Sequence, residues 1–176
     1  PYLLFIGRLA ERKNIVRIIE AFEILKERYH IPHTLVLAGK SGYGYAKIKS
    51  TIENLQSKIP IEELGYVTEE EKWELLKNAD VFLFPTLYEG FGIPVLEAQS
   101  VGVPVVASDT SSLPEVGGDA AVYVDPLNAE SIALGIQKLL SDRGFRDGII
   151  EKAAHNVNRF GWAQCAEEIS RVIRRP

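Results

Sequence analysis

The chain has 176 residues, of which 46% are hydrophobic and 25% are charged. That length allows one domain with a substantial core, and the composition is typical of a folded globular protein rather than a disordered one. The net charge of −4 leaves no excess of basic side chains to neutralise nucleic-acid phosphates, so we predict no nucleic-acid partner. No apolar run reaches membrane-spanning length, and no signal-peptide pattern opens the chain.

Individual residue types narrow the class of protein further. The single cysteine, Cys165, cannot form an internal disulfide bond, which fits a reducing, cytoplasmic compartment, and we expect it to be buried on a helix. The three histidines show no ligand spacing with cysteines or carboxylates, so we predict no metal site. The chain has no methionine, and an apolar strand begins directly after Pro1, so we expect it to be a piece of a longer protein.

Short apolar runs predict six strands, at residues 2–7, 34–38, 61–67, 81–84, 104–107 and 121–124. Most of these runs are apolar throughout rather than alternating, which is typical of parallel strands covered by helices on both faces. We therefore predict a doubly wound, Rossmann-like α/β fold, with a parallel six-stranded sheet in the order 3-2-1-4-5-6 and helices on both faces.

Apolar residues at helical spacing predict seven helices, with a short turn around residues 111–116. Asn14 is predicted to cap the first helix, and Thr68 with Glu71 forms a capping-box pattern that opens the third. The predicted helices are 14–29, 45–56, 69–78, 94–101, 129–140, 146–158 and 162–174.

The functional signals follow the first and fourth predicted strands, where a doubly wound sheet binds its ligands. Arg8 and Lys13 follow the first strand, and two cations there could clamp a diphosphate, whereas we interpret Arg12 as a solvated loop charge. After the fourth strand, Glu89 and Glu97 flank a glycine-rich turn that leads into a helix start. The free N–H groups of a helix start favour an anion, so the pattern predicts a ligand with a phosphate end and a polyol end.

Together these motifs resemble the donor-binding half of a retaining GT-B glycosyltransferase of family 4, the group 1 type. The resemblance spans essentially the whole chain and implies one half of an enzyme that moves a hexose from a nucleoside diphosphate to an acceptor hydroxyl. It implies retention of the anomeric configuration and no metal or other cofactor. The resemblance rests on Gly7-Arg8-Leu9, on Lys13, and on segments 89–98, 102–108 and 113–116.

The resemblance also implies roles for single residues. Arg8, Lys13 and Glu89 form the implied catalytic set, in which the cations hold the departing diphosphate and Glu89 serves the donor sugar. Glu97 is implied to bind the ribose diol, and Lys72 to approach the base, although a solvated helix position explains Lys72 equally well. The residues implied to bind the donor are Gly7, Gly39, Lys40, Val67, Lys72, Gly90, Phe91, Gly92, Ile93 and Glu97.

The implied domain organisation divides the chain near residue 160. Residues 1–160 form the nucleotide-sugar-binding domain. Residues 161–176 form a helix with an apolar stripe that is expected to cross towards an N-terminal acceptor-binding domain of the same protein, absent here. We expect the isolated domain to be inactive, and any association with the inner face of a membrane to come through the missing half.

Two alternatives stay open. A GT-B-type nucleotide-sugar epimerase would differ by lacking this glutamate pair and by releasing its product without an acceptor. A non-catalytic module that only binds a nucleotide sugar would have no acceptor cleft in its other half. The base and sugar of the donor, the acceptor, the pathway and the oligomeric state are not specified by these residues.

Overall fold

Six parallel strands form a single sheet in the order β3-β2-β1-β4-β5-β6. The structure is a computed structural model and describes residues 1–55 and 57–174. The predicted doubly wound fold and strand order are confirmed. The strands are β1 (Tyr2–Ile6), β2 (Thr34–Ala38), β3 (Ile61–Gly65), β4 (Val81–Phe84), β5 (Val105–Ser108) and β6 (Val122–Val124).

Helices connect the strands and cover both faces of the sheet. Helix α1 packs against α2 and α6, while α4 packs against α5 and α7. Two short 3-10 helices, Glu11–Lys13 and Val157–Arg159, precede α1 and follow α7. The helices are α1 (Ile15–Tyr29), α2 (Tyr45–Leu55), α3 (Glu69–Asn78), α4 (Ile93–Ser100), α5 (Leu113–Gly117), α6 (Ala129–Ser141), α7 (Arg143–Asn156) and α8 (Trp162–Ile173).

The core lies along the central strands because their residues are apolar on both sides. Every residue of β4 is buried, and its phenylalanines Phe82 and Phe84 stack with ring centroids 5.8 Å apart. Phe5 of β1 stacks on Phe84 across the strand pair at 6.3 Å. Strand β3 differs, because as an edge strand it alternates between half-buried and exposed residues. Burial on both faces thus centres the sheet on β1 and β4, the two strands that carry the predicted site.

Local capping chemistry explains several helix starts. Thr68 and Glu71 form both hydrogen bonds of the predicted capping box, at 3.2 and 2.7 Å, which confirms that prediction. Helix α7 begins at Arg143, three residues earlier than predicted, because the Asp142 carboxylate accepts a hydrogen bond from the Phe145 N–H at 2.9 Å. The predicted end of α2, Gln56, lies outside the described residues.

Helix α8 buries none of its residues. Trp162 is 85% exposed and Ile173 is 76% exposed, so the predicted apolar stripe is open. Cys165 is exposed as well, so the prediction of a buried cysteine is wrong: its helix has no described surface to pack against. None of the helices within residues 1–55 and 57–174 combines the length and apolarity needed to cross a membrane.

Candidate functional site

The loops that follow β1 and β4 meet at one edge of the sheet, because these strands are neighbours. Lys13 and Glu89 are 76 residues apart in sequence, yet the Lys13 ammonium donates a hydrogen bond to Glu89 Oε1. Both residues are buried, at 8% and 9% exposure. The Lys13 Nζ also lies 4.9 Å from the centroid of the Phe84 ring. The predicted phosphate cation and the predicted sugar carboxylate therefore form one buried ion pair.

Arg12, interpreted from the sequence as a solvated loop charge, is largely exposed and also contacts this pair. Its Nη1 lies 3.4 Å from Glu89 Oε1 and 3.3 Å from the Tyr88 carbonyl oxygen. The Leu87 N–H donates to the Arg12 carbonyl oxygen at 2.9 Å, which holds the two loops side by side. The 3-10 turn at Glu11–Lys13 turns Lys13 inward and leaves Arg12 at the rim, with 58% of its side chain exposed.

Asn14 fixes the backbone next to Lys13. It occupies the left-handed region with φ of 63°, which asparagine tolerates better than most residues. Its side-chain amide donates to the Pro85 carbonyl oxygen at 2.9 Å and to the Pro126 carbonyl oxygen at 2.7 Å. The prediction that Asn14 is the N-cap residue of α1 is confirmed, but its side chain makes no capping hydrogen bond. The amide is committed instead to the carboxyl ends of β4 and β6.

Two serines in the loop after β5 hold the backbone of Glu89, and the sequence analysis missed both. The Glu89 N–H donates to Ser111 Oγ at 3.2 Å. The Ser112 hydroxyl is positioned to donate to the carbonyl oxygens of Glu89, at 3.0 Å, and Phe91, at 2.7 Å. The position of the two serines in the sequence could have indicated this role, because the loop after β5 lies at the same end of the sheet as the loop after β4.

Gly90 and Gly92, in the turn between β4 and α4, have different structural roles. Gly92 has φ of +114°, and a Cβ there would lie 2.5 Å from Leu113 Cδ2, so backbone conformation and packing both require glycine. A Cβ on Gly90 would meet no atom within 4 Å, so this residue leaves open space beside Glu89. Gly92 is the N-cap residue of α4, and its neighbours Phe91 and Ile93 are exposed.

Glu97 forms a second ion pair, with Lys72. Lys72 Nζ lies 2.8 Å from Glu97 Oε1 and 2.6 Å from Glu69 Oε1, so it joins α3 to α4. Burial alone would lower the pKa of Lys72, but the contacts with Glu69 and Glu97 outweigh burial and raise that pKa above its ordinary value. With 15% of its side chain exposed, Lys72 is not the solvated helix residue that was the alternative interpretation.

The remaining predicted residues line the ends of β1, β2 and β3. A Cβ on Gly39 would lie 1.9 Å from the Gly7 carbonyl oxygen, so Gly39 lets two chain segments pass, which is a packing role. The aliphatic part of the Arg8 side chain packs against Gly42, so a Cβ on Gly42 would lie 2.7 Å from Arg8 Cγ.

Two residues at the ends of β2 and β3 complete the predicted set. Lys40 Nζ lies 4.5 Å above the Tyr66 ring. Val67 lines an open groove of about 450 Å³ with Tyr66 and Leu75. In the described part of the chain, no three His, Cys, Asp or Glu side chains converge in the way a metal site needs.

The strand order, with charged groups gathered at its switch point, defines the class of fold: a doubly wound, Rossmann-like domain. The family model described as "Glycosyl transferases group 1" matches residues 1–156. The chain therefore belongs to the group 1 glycosyltransferases, which confirms the family resemblance.

Named relatives and solved structures agree with this membership. O-antigen chain mannosyltransferase B of Escherichia coli is 35% identical over 167 residues, covering 95% of this chain and 44% of the relative. Sucrose-phosphate synthase of Thermosynechococcus elongatus matches with a TM-score of 0.83 at 24% identity, over 99% of this chain and 45% of that one. HepE of Anabaena, solved in complex with UDP and glucose, matches with a TM-score of 0.82 at 20% identity, over 98% and 48% of the two chains.

The structural matches are to GT-B glycosyltransferases and show the fold. The chain spans about half the length of the proteins that it matches, which is consistent with a second domain outside it.

Proposed function

We propose that this chain is the donor-binding domain of a retaining glycosyltransferase that needs no metal ion, and that its ligand is a nucleoside-diphosphate sugar. The observation that carries the proposal is the buried Lys13–Glu89 pair, which lies between the carboxyl ends of β1 and β4 and precedes the start of α4. A cation, a carboxylate and a helix start in one crevice suit a ligand with phosphates and sugar hydroxyls.

In this proposal the cations act on the leaving group. Negative charge builds on the diphosphate as the bond to the sugar breaks, and groups already in place for that charge lower the barrier. Lys13 is buried and anchored, so it acts as the fixed charge; Arg12 and Arg8, at the rim, close over the phosphates. This arrangement of cations takes the part that a metal ion plays elsewhere.

The two glutamates hold different parts of the donor. Glu89, next to the open space at Gly90, accepts hydrogen bonds from the sugar hydroxyls. Glu97, one turn into α4 and paired with Lys72, accepts hydrogen bonds from the ribose diol. The base lies towards Gly39, Lys40 and Val67, at the ends of β2 and β3.

The rest of the activity belongs to the remainder of the full-length protein. An N-terminal acceptor-binding domain completes the cleft, the 176-residue chain alone transfers little or no sugar, and the enzyme is cytoplasmic with any membrane contact through its other half. The name of the E. coli relative makes mannose the first sugar to test. The name of the HepE complex adds glucose and UDP.

The experiment is a binding screen by calorimetry in EDTA. UDP, GDP and ADP, each free and as its mannose and glucose derivatives, are titrated into the 176-residue chain. The proposal expects binding of at least one base without metal. Absence of binding by every nucleotide would contradict it. In the full-length protein, conversion of a nucleotide sugar to its epimer without an acceptor would favour the epimerase, and binding without any turnover would favour a sensing module.

A further inference from the structure

Lys13, the cation that we propose binds phosphate, already has a partner. Lys13 donates a hydrogen bond to Glu89 Oε1, and Arg12 Nη1 contacts the same oxygen. With both side chains of the buried pair about nine-tenths shielded from water, each charge relies on the other, since a buried charge without a partner is costly. The ammonium has three N–H donors but one positive charge, so a diphosphate that binds Lys13 weakens its pairing with Glu89.

The backbone on both sides of this pair is fixed. Asn14 ties the Lys13 segment to the ends of β4 and β6, and Ser111 with Ser112 ties the backbone of Glu89 to the loop after β5. If the loops moved apart to separate the negative charges, these hydrogen bonds would break. A bound phosphate therefore leaves the Glu89 carboxylate close by, with a smaller share of the Lys13 charge and beside another negative charge.

We propose that Glu89 is a specificity-determining residue, which makes the site bind a nucleoside-diphosphate sugar in preference to the free nucleoside diphosphate. The inference rests on the proposed function. A sugar on the diphosphate brings hydroxyl donors to this carboxylate, next to the open space at Gly90, and so compensates for the weakened pairing with Lys13. A free nucleoside diphosphate brings phosphate oxygens but no such donors.

The same asymmetry acts after transfer. When the sugar leaves, the nucleoside diphosphate remains against a carboxylate that has lost its donors, and Lys13 is drawn back to Glu89. The product is therefore held more weakly than the substrate.

The test is the ratio of two dissociation constants, for a nucleoside diphosphate and its hexose derivative, measured by calorimetry on the 176-residue chain. Glu89→Gln keeps the shape of the side chain and removes its charge. We expect it to tighten binding of the free diphosphate by about tenfold, equivalent to about 1.4 kcal/mol. Binding of the sugar derivative should not tighten with it, so the preference for the sugar form falls.

The matched control is Glu97→Gln, at the carboxylate placed near the ribose that both ligands share. It should change both dissociation constants by the same factor and leave their ratio unaltered. Glu89→Ala provides a second variant, which should shift the ratio in the same direction if Glu89→Gln does not fold. An unchanged ratio in folded Glu89 variants that bind nucleotide overturns the specificity role alone. Failure of the wild-type chain to bind any nucleotide overturns this inference and the proposed function together.

Discussion

At the residue scale, the position of Lys13 depends on its neighbour Asn14 as much as on Glu89. Asn14 holds a left-handed backbone and donates to two buried carbonyl oxygens, those of Pro85 and Pro126. Both prolines lie just beyond the ends of β4 and β6, and the asparagine amide satisfies their buried carbonyl groups.

Asn14→Gly should destabilise the chain by about 2 kcal/mol, because two buried carbonyl groups lose their donor while glycine keeps the left-handed backbone. Asn14→Ala should cost about 1 kcal/mol more, since alanine is strained at that backbone angle. Urea denaturation measures both. The control is Asn78→Ala, which removes an exposed amide hydrogen bond and should change stability by about 0.5 kcal/mol or less. A Glycine variant as stable as wild type would mean that the amide contributes nothing.

The sequence predicted which residues carry charge at the site but not how they pair. Three cations lie between residues 8 and 13, and helical or strand periodicity does not say which one turns inward; a single 3-10 turn decides it. The side-chain partners of Asn14 lie 71 and 112 residues away, so the local capping preference predicted its position at the helix start but not these bonds. Lys13 and Glu89 were each singled out, but their contact depends on long-range packing.

At the element scale, the loop that carries Glu89 is shaped by the loop after β5 as much as by its own glycines. The Ser112 hydroxyl lies between the carbonyl oxygens of Glu89 and Phe91. The packing of Leu113 against Gly92 fixes the start of α4. These contacts involve short loops at the same sheet edge, which strand order predicts in outline. The particular hydrogen bonds depend on side-chain torsion angles that no periodic pattern encodes.

Ser112→Ala should loosen this loop. The variant removes the hydroxyl that serves the carbonyl oxygens of Glu89 and Phe91, and we expect a loss of about 1 kcal/mol. Amide hydrogen exchange should accelerate at Glu89–Ile93 and stay unchanged in β1. Ser141→Ala is the control, because the Ser141 hydroxyl bonds only a carbonyl oxygen of its own helix, α6. Equal protection of the loop in both variants would show that Ser112 does not shape it.

At the scale of the whole molecule, the order of the sheet was predictable from the sequence, whereas the partner that covers the last helix stays a prediction. Apolar runs such as Val81–Phe84 are buried on both faces, and that burial alone favours a parallel, doubly wound sheet. Helix α8 also has an apolar stripe, yet none of its residues is buried. A pattern indicates that a helix has an apolar face, but what covers that face depends on the rest of the protein.

Truncation after Phe160 should therefore cost the chain little stability. Since no residue of α8 is buried, we expect the melting temperature to fall by less than about 4 °C, the shift that corresponds to a change of about 1 kcal/mol. Self-association through the exposed stripe should decrease, as measured by light scattering. A large fall in melting temperature with no change in oligomeric state would place α8 in the core of this domain.

Lys13 is proposed to hold a diphosphate between the carboxyl ends of β1 and β4 without a metal ion. Calorimetry in EDTA tests this with wild type, Lys13→Met and the control Lys77→Met, which alters an exposed lysine in the last turn of α3. We expect nucleoside diphosphate binding by wild type and Lys77→Met, and weaker binding by Lys13→Met, by about 1.5–3 kcal/mol. Equal affinity of the three proteins, or binding only when Mg²⁺ is added, would contradict it.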